Sequence, residues 1–141
     1  MIRIIVLMLI VIPSSLLAFT PINTGHDLYN NLKLADDPQN LDELVNSTYA
    51  LGYLRGSVDE VIYMQNLYYD RLFPANTMTE KEIKEYSKRL DLVLLNIPEE
   101  GITDGQMMLI YKKYVEKHPE ELSLTARVCI LKSLINAYGW E

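Results

Sequence analysis

The chain has 141 residues, with 13 Lys and Arg against 19 Asp and Glu and a net charge of −6. An acidic chain without a basic block is a poor nucleic-acid binder, because neutralising phosphates needs clustered Lys and Arg; its charge favours a basic protein surface instead. The length suits one domain with one core, and a single cysteine, Cys129, excludes an intrachain disulfide.

Residues 1–18 read as a secretory signal peptide. Met1-Ile-Arg3 carries a positive charge, Ile4 to Ile12 is an unbroken apolar run, and Pro13-Ser-Ser breaks it. Leu16-Leu-Ala18 then sets a small residue before a cut. The run is too short to cross a bilayer as a stable helix. The expectation is an exported, periplasmic domain over residues 19–141, with no membrane insertion after cleavage. Arg3 leaves with the signal and no acid does, so the net charge moves from −6 to −7.

Thr24, with Asp27 three residues on, is close to a capping box and opens a first helix. Leu28, Leu32 and Leu34 give it an apolar stripe, and Asp36-Asp-Pro38 stops it, because the residue before proline avoids helical angles. No proline falls between Gln39 and Phe73, and a second helix is expected from about Gln39 to Leu72. Its expected inward stripe is Leu41, Leu44, Val45, Thr48, Gly52, Val58, Ile62 and Leu67. Such a helix is long for a domain of this size, so a kink or break is expected around Gly52 to Ser57. Gly52 and Gly56 stand four apart on one helical face, which predicts close packing against that face. The charged neighbours Arg55, Asp59 and Glu60 argue against the membrane version of a Gly-x-x-x-Gly motif.

Thr79-Glu-Lys-Glu82 is a capping box for a third helix, whose mixed charges mark a solvated face. Asn96-Ile-Pro98 and Glu99-Glu-Gly101 make a turn, and Thr103-Asp-Gly-Gln106 opens a fourth helix. Its expected buried stripe is Met107, Ile110, Tyr111, Tyr114 and Val115. His118, before Pro119, ends it. A last helix is expected to place Leu124, Val128, Leu131, Ile135 and Tyr138 on one face. No stretch alternates as a half-buried strand does. The predicted fold is all-α, a single compact bundle of about five helices.

No constellation supports catalysis. His26 and His118 have no metal-ligand spacing, so neither a metal nor a cofactor is expected. Sequence distance leaves open a dyad of Cys129 with either histidine. Yet Cys129 sits among Val128, Ile130 and Leu131, where a thiolate is poorly stabilised. The paired acids, such as Glu99-Glu100 and Glu120-Glu121, lie mostly at helix ends or on polar faces. Most of the ten tyrosines fall on helical stripes; Tyr68, Tyr69 and Tyr86 are the excess that suits a protein interface. An enzyme is not the expectation.

Gly25-His-Asp-Leu28 and Gly52-Tyr53-Leu-Arg-Gly56-Ser-Val-Asp59 resemble the opening blocks of the Rap/Tai family of type VI secretion immunity proteins. Asn96-Ile-Pro98, Ile102-Thr103-Asp-Gly-Gln106, Tyr114-Val115 and His118-Pro119-Glu120 resemble its second half, and Ala126 through Tyr138 its closing helix. The resemblance implies a small, exported, all-α protein, often a homodimer, that binds a cognate peptidoglycan-amidase toxin and blocks its active-site cleft with an inserted loop. Family members commonly carry several cysteines, including one before the Ile-Pro block; here Asn96 holds that place. The quoted blocks read as structural, so the expected contact residues are in the inter-helix loops: Phe73, Asn76, Glu99, Glu100 and Asp104. The rival expectation is a periplasmic helical chaperone or envelope-assembly factor on a similar scaffold.

Overall fold

The computed structural model describes residues 20–72, 78–89 and 94–139. Among the described residues there are five α-helices and one 3₁₀ turn: α1 (Gly25–Leu34), α2 (Leu41–Leu72), α3 (Glu80–Arg89), α4 (Asp104–Lys117), the 3₁₀ turn (Pro119–Ser123) and α5 (Ala126–Tyr138). The three threonine signals work as caps. Thr24 accepts from the Asp27 N–H, and Thr103 from the Gln106 N–H, each with the reciprocal side-chain bond of a complete box. Thr79 and Glu82 exchange the same pair of bonds. Each satisfies donors that a helix start otherwise leaves open.

The core is organised around the short α1, which packs on α2, α4, the 3₁₀ turn and α5. Leu28 and Leu32 of α1 are fully buried, as are Tyr111 and Val115 of α4. Tyr111 is the largest fully buried side chain among the described residues, and its hydroxyl donates to the Gly25 carbonyl at 2.9 Å. Two isolated bridges tie in the chain's outer parts. Thr24 pairs antiparallel with Thr125, and Leu95 with Gly139. Ile83 and Leu94, with Leu72 and Met78, form a separate small cluster under α3.

α2 runs unbroken through Gly52–Ser57, so no interruption of the helix accompanies the two glycines. Its buried face follows the expected stripe only in part: Val58 is buried and Val45, Ile62 and Leu67 are half-buried, but Thr48 and Gly52 are exposed. Asn46, Ser47, Ala50, Leu54 and Val58 point inward, whereas Leu41 is 66% and Leu44 48% exposed. Ser47 and Ala50 on that face let α1 lie close, and Leu41 and Leu44 are left outside while Leu54 is buried. The glycine pair is a second correction. Gly52 and Gly56 are exposed, and a Cβ at either meets nothing within 4 Å. Among the glycines within helices, the one that does receive a neighbour is Gly25, where a Cβ falls 2.7 Å from Cys129 Sγ and 3.1 Å from the Leu122 carbonyl oxygen.

α5 follows its expected face only in part: Ile135 and Tyr138 pack partly buried against the core. Ala126, Cys129, Ile130, Ser133 and Leu134 are buried, while Leu124, Val128 and Leu131 are partly exposed. The helix is apolar on more than one side, so periodicity alone does not choose between them. In α4 the expected stripe holds, with Met107, Tyr111, Tyr114 and Val115 buried and Ile110 at its edge.

Candidate interaction site

The segment Leu95–Thr103 joins the α3 region to α4, and side chains of α2 hold both of its ends. At one end the Gln65 carboxamide makes a double hydrogen bond. Its Nε2 donates to the Leu95 carbonyl and its Oε1 accepts from the Leu95 N–H, both at 2.8 Å. A glutamine thereby takes the place of a neighbouring strand. On the other side of the chain, the Asn96 N–H donates to the Tyr138 carbonyl at 2.7 Å. At the far end Arg55 Nη1 donates to the Ile102 carbonyl and to Asp104 Oδ1, both at 3.0 Å. The same guanidinium reaches Asp59 on its own helix at 3.3 Å. Arg55 and Gln65 are ten residues apart, about 15 Å along a helix, so α2 sets the span of the segment.

Between the two anchors the chain turns back. The Gly101 N–H donates to the Pro98 carbonyl at 2.8 Å, and Gly101 adopts φ +80°, a left-handed backbone that side chains disfavour. Glu99 and Glu100 occupy the two central positions of this turn and are exposed. A pocket of about 260 Å³ opens between the turn and α2, lined by Ile62, Gln65, Asn66, Leu95, Ile97, Pro98, Glu99 and Gly101.

Of the residues expected at a partner contact, Glu99 and Glu100 stand together on this tip. Asp104 is nearby but already paired with Arg55. Phe73 and Asn76 lie outside the described residues. The motif residues occupy structural places. Thr103 and Gln106 cap α4, and Asp59 braces Arg55. Tyr53 packs partly buried against the core. Pro98 starts the turn, and Pro119 starts the 3₁₀ turn. His118 ends α4, its ring 4.6 Å from that of Tyr114. Ile62 was expected on the inward stripe of α2, but Gln65 and Asn66 carry no local signal; a mid-helix glutamine looks like any solvated residue, and its partner is thirty positions away.

A second surface lies between α2 and α5. A groove of about 330 Å³ is walled by Val61, Met64, Val128, Ile130 and Leu131, with Glu60 paired to Arg127 at its rim. In the 3₁₀ turn that precedes α5, Glu121 collects three groups. Tyr114 donates to it at 2.6 Å and Lys132 at 2.7 Å, while its backbone carbonyl accepts from Cys129 Sγ at 3.2 Å. Burial pushes the Cys129 thiol up from its usual value, so it stays protonated and packs as a hydrophobe. Among the described residues, no three His, Cys, Asp or Glu side chains gather as metal ligands, and no helix is long and apolar enough to cross a membrane.

Comparison with known proteins gives one match. The family model of Rap1a immunity proteins matches residues 24–139, which takes in every helix among the described residues and the whole Leu95–Asp104 segment. No curated protein and no solved structure matches the chain.

Proposed function

The chain belongs to the Rap1a immunity protein family, and on that premise we propose that it is a periplasmic immunity protein that binds and blocks a peptidoglycan-amidase toxin of a type VI secretion system. It acts by occupancy, as a stoichiometric inhibitor without a reaction of its own. The turn Pro98–Gly101 enters or covers the toxin's active-site cleft, with the Glu99 and Glu100 carboxylates set against basic groups there. The observation that carries this reading is an acidic turn, held at both ends by side chains of α2, on a chain matched by the immunity family over residues 24–139. A tip ordered before binding loses less entropy on docking than a free loop.

Export follows from the charged, apolar and small-residue order of residues 1–18. Assembly as a homodimer is part of the same proposal. The test is co-expression with the toxin encoded beside this gene, the toxin directed to the periplasm. Protection by the full chain, loss of protection when residues 2–18 are removed, and a complex that co-purifies are the expected outcomes. A toxin that is neither bound nor neutralised sinks the reading.

A further inference from the structure

We propose that the pocket between α2 and the Pro98–Gly101 turn receives a single lysine or arginine side chain of the bound partner protein. The inference rests on the immunity reading for its partner and on the pocket's own chemistry for its occupant.

Size comes first. At about 260 Å³ the space falls below the roughly 300–1,000 Å³ typical of small-molecule sites, and an α-helix, about 10 Å across, does not fit. One long side chain does. The lining then selects the kind. Ile62, Ile97 and Pro98 offer apolar walls for methylene groups. The amides of Gln65 and Leu95 are spent on one another. The remaining polar side chains are the Asn66 carboxamide and the Glu99 carboxylate, with Glu100 next along the turn. An acidic side chain meets repulsion from Glu99. A purely apolar one strips water from Glu99 and Asn66 and gives no hydrogen bond in return. A cationic side chain satisfies both demands, its stem against the isoleucines and proline and its head on the carboxylate. The turn then grips as well as inserts: its tip enters the partner while its underside holds a group of the partner.

The pocket can be tested without the toxin. Backbone amide NMR of the full mature chain is followed during titration with N-acetyl-lysine methylamide and N-acetyl-arginine methylamide, with the norleucine and citrulline amides as uncharged controls. Saturable shifts centred on Ile62, Asn66, Ile97 and Gly101 with one or both cationic probes, and weaker or no shifts with the controls, are expected. Glu99→Gln, on an exposed turn that its circular dichroism should show intact, is expected to weaken the cationic probe about tenfold or more. Equal binding of norleucine, shifts that survive Glu99→Gln, or no saturable shift overturns the proposal. Capture of the neighbouring toxin separates this idea from the one beneath it. If the wild-type chain captures the toxin and Glu99→Gln captures it equally well, the pocket inference falls and the immunity reading stands. If the wild type captures nothing, the immunity reading falls, and the titration alone decides the pocket's preference.

Discussion

Gly25 at the start of α1 lies so close to Cys129 of α5 that a methyl group on its Cα would sit 2.7 Å from the thiol sulfur. The same residue donates its N–H to the Leu124 carbonyl at 2.9 Å and accepts from the Tyr111 hydroxyl. Three elements therefore meet on one residue that has no side chain. Gly25→Ala is expected to destabilise the protein by about 2 kcal/mol through overpacking. Pairing it with Cys129→Ala should recover part of that loss, because the sulfur is the nearest obstacle and the Leu122 carbonyl, at 3.1 Å, remains. Denaturant midpoints of the two single variants and the double variant measure the coupling.

Gly52 and Gly56 predict the opposite sign. Each is helical, exposed and free of close neighbours. Gly52→Ala or Gly56→Ala should stabilise the isolated chain by about 0.5–1 kcal/mol, by restricting the unfolded state and favouring the helix. Thermal unfolding of a dilute sample checks this. A drop in stability that deepens with protein concentration would instead show that the bare face is covered by another copy.

The contrast between these glycines shows how far the sequence could be read. The capping boxes at Thr24 and Thr103 are legible because every partner lies within four residues, and the α4 stripe because polar residues flank it. The inward faces of α2 and α5 are legible only in part. α5 is apolar on two sides, and α2 buries small residues such as Ser47 and Ala50 while leaving Leu41 and Leu44 outside. Which side wins depends on where α1 lies, and no local pattern carries that. The candidate site was half legible. Glu99 and Glu100 could be placed on a turn from Pro98 and Gly101, whereas its anchors depend on contacts such as Gln65–Leu95 and Arg55–Asp104, thirty and forty-nine positions apart.

Arg55 is half exposed, and its ion pairs with Asp59 and Asp104 are screened by solvent. Arg55→Ala should therefore cost no more than about 1 kcal/mol in global stability. Its local effect should be larger. With the Ile102 carbonyl released, amide exchange between Ile97 and Thr103 should accelerate while that of α4 beyond Met107 stays protected. Hydrogen exchange read by mass spectrometry distinguishes this local loosening from general destabilisation.

Acid should weaken the fold in a direction set by its carboxylates. Hydrogen bonds from Lys132 and Tyr114 hold Glu121 below its ordinary value of 4.5, and capping bonds from Thr24 and Thr79 do the same for Asp27 and Glu82. A depressed carboxylate contributes stability that is fully present above its unfolded pKa and lost as the pH falls through its folded one. Unfolding temperature should thus be flat near neutrality and fall below about pH 4.5. Glu121→Gln should lower the plateau at neutral pH and make the acid decline shallower, because one of the groups that takes up a proton on unfolding is gone.

The meeting of α1 with α4 and α5 has a kinetic consequence. α1 has ten residues, too few to hold a helix alone in water, and the Tyr111–Gly25 bond closes a sequence separation of 86. Helical proteins usually fold fast because their contacts are local. Here α1 packs on the neighbouring α2 but completes its partners only when α4 and α5 have gathered, which adds long-range closures to the search. Stopped-flow refolding should be slower than for an up-and-down bundle of equal length. Truncation within α5 should disrupt the core around α1 as surely as deleting α1 does.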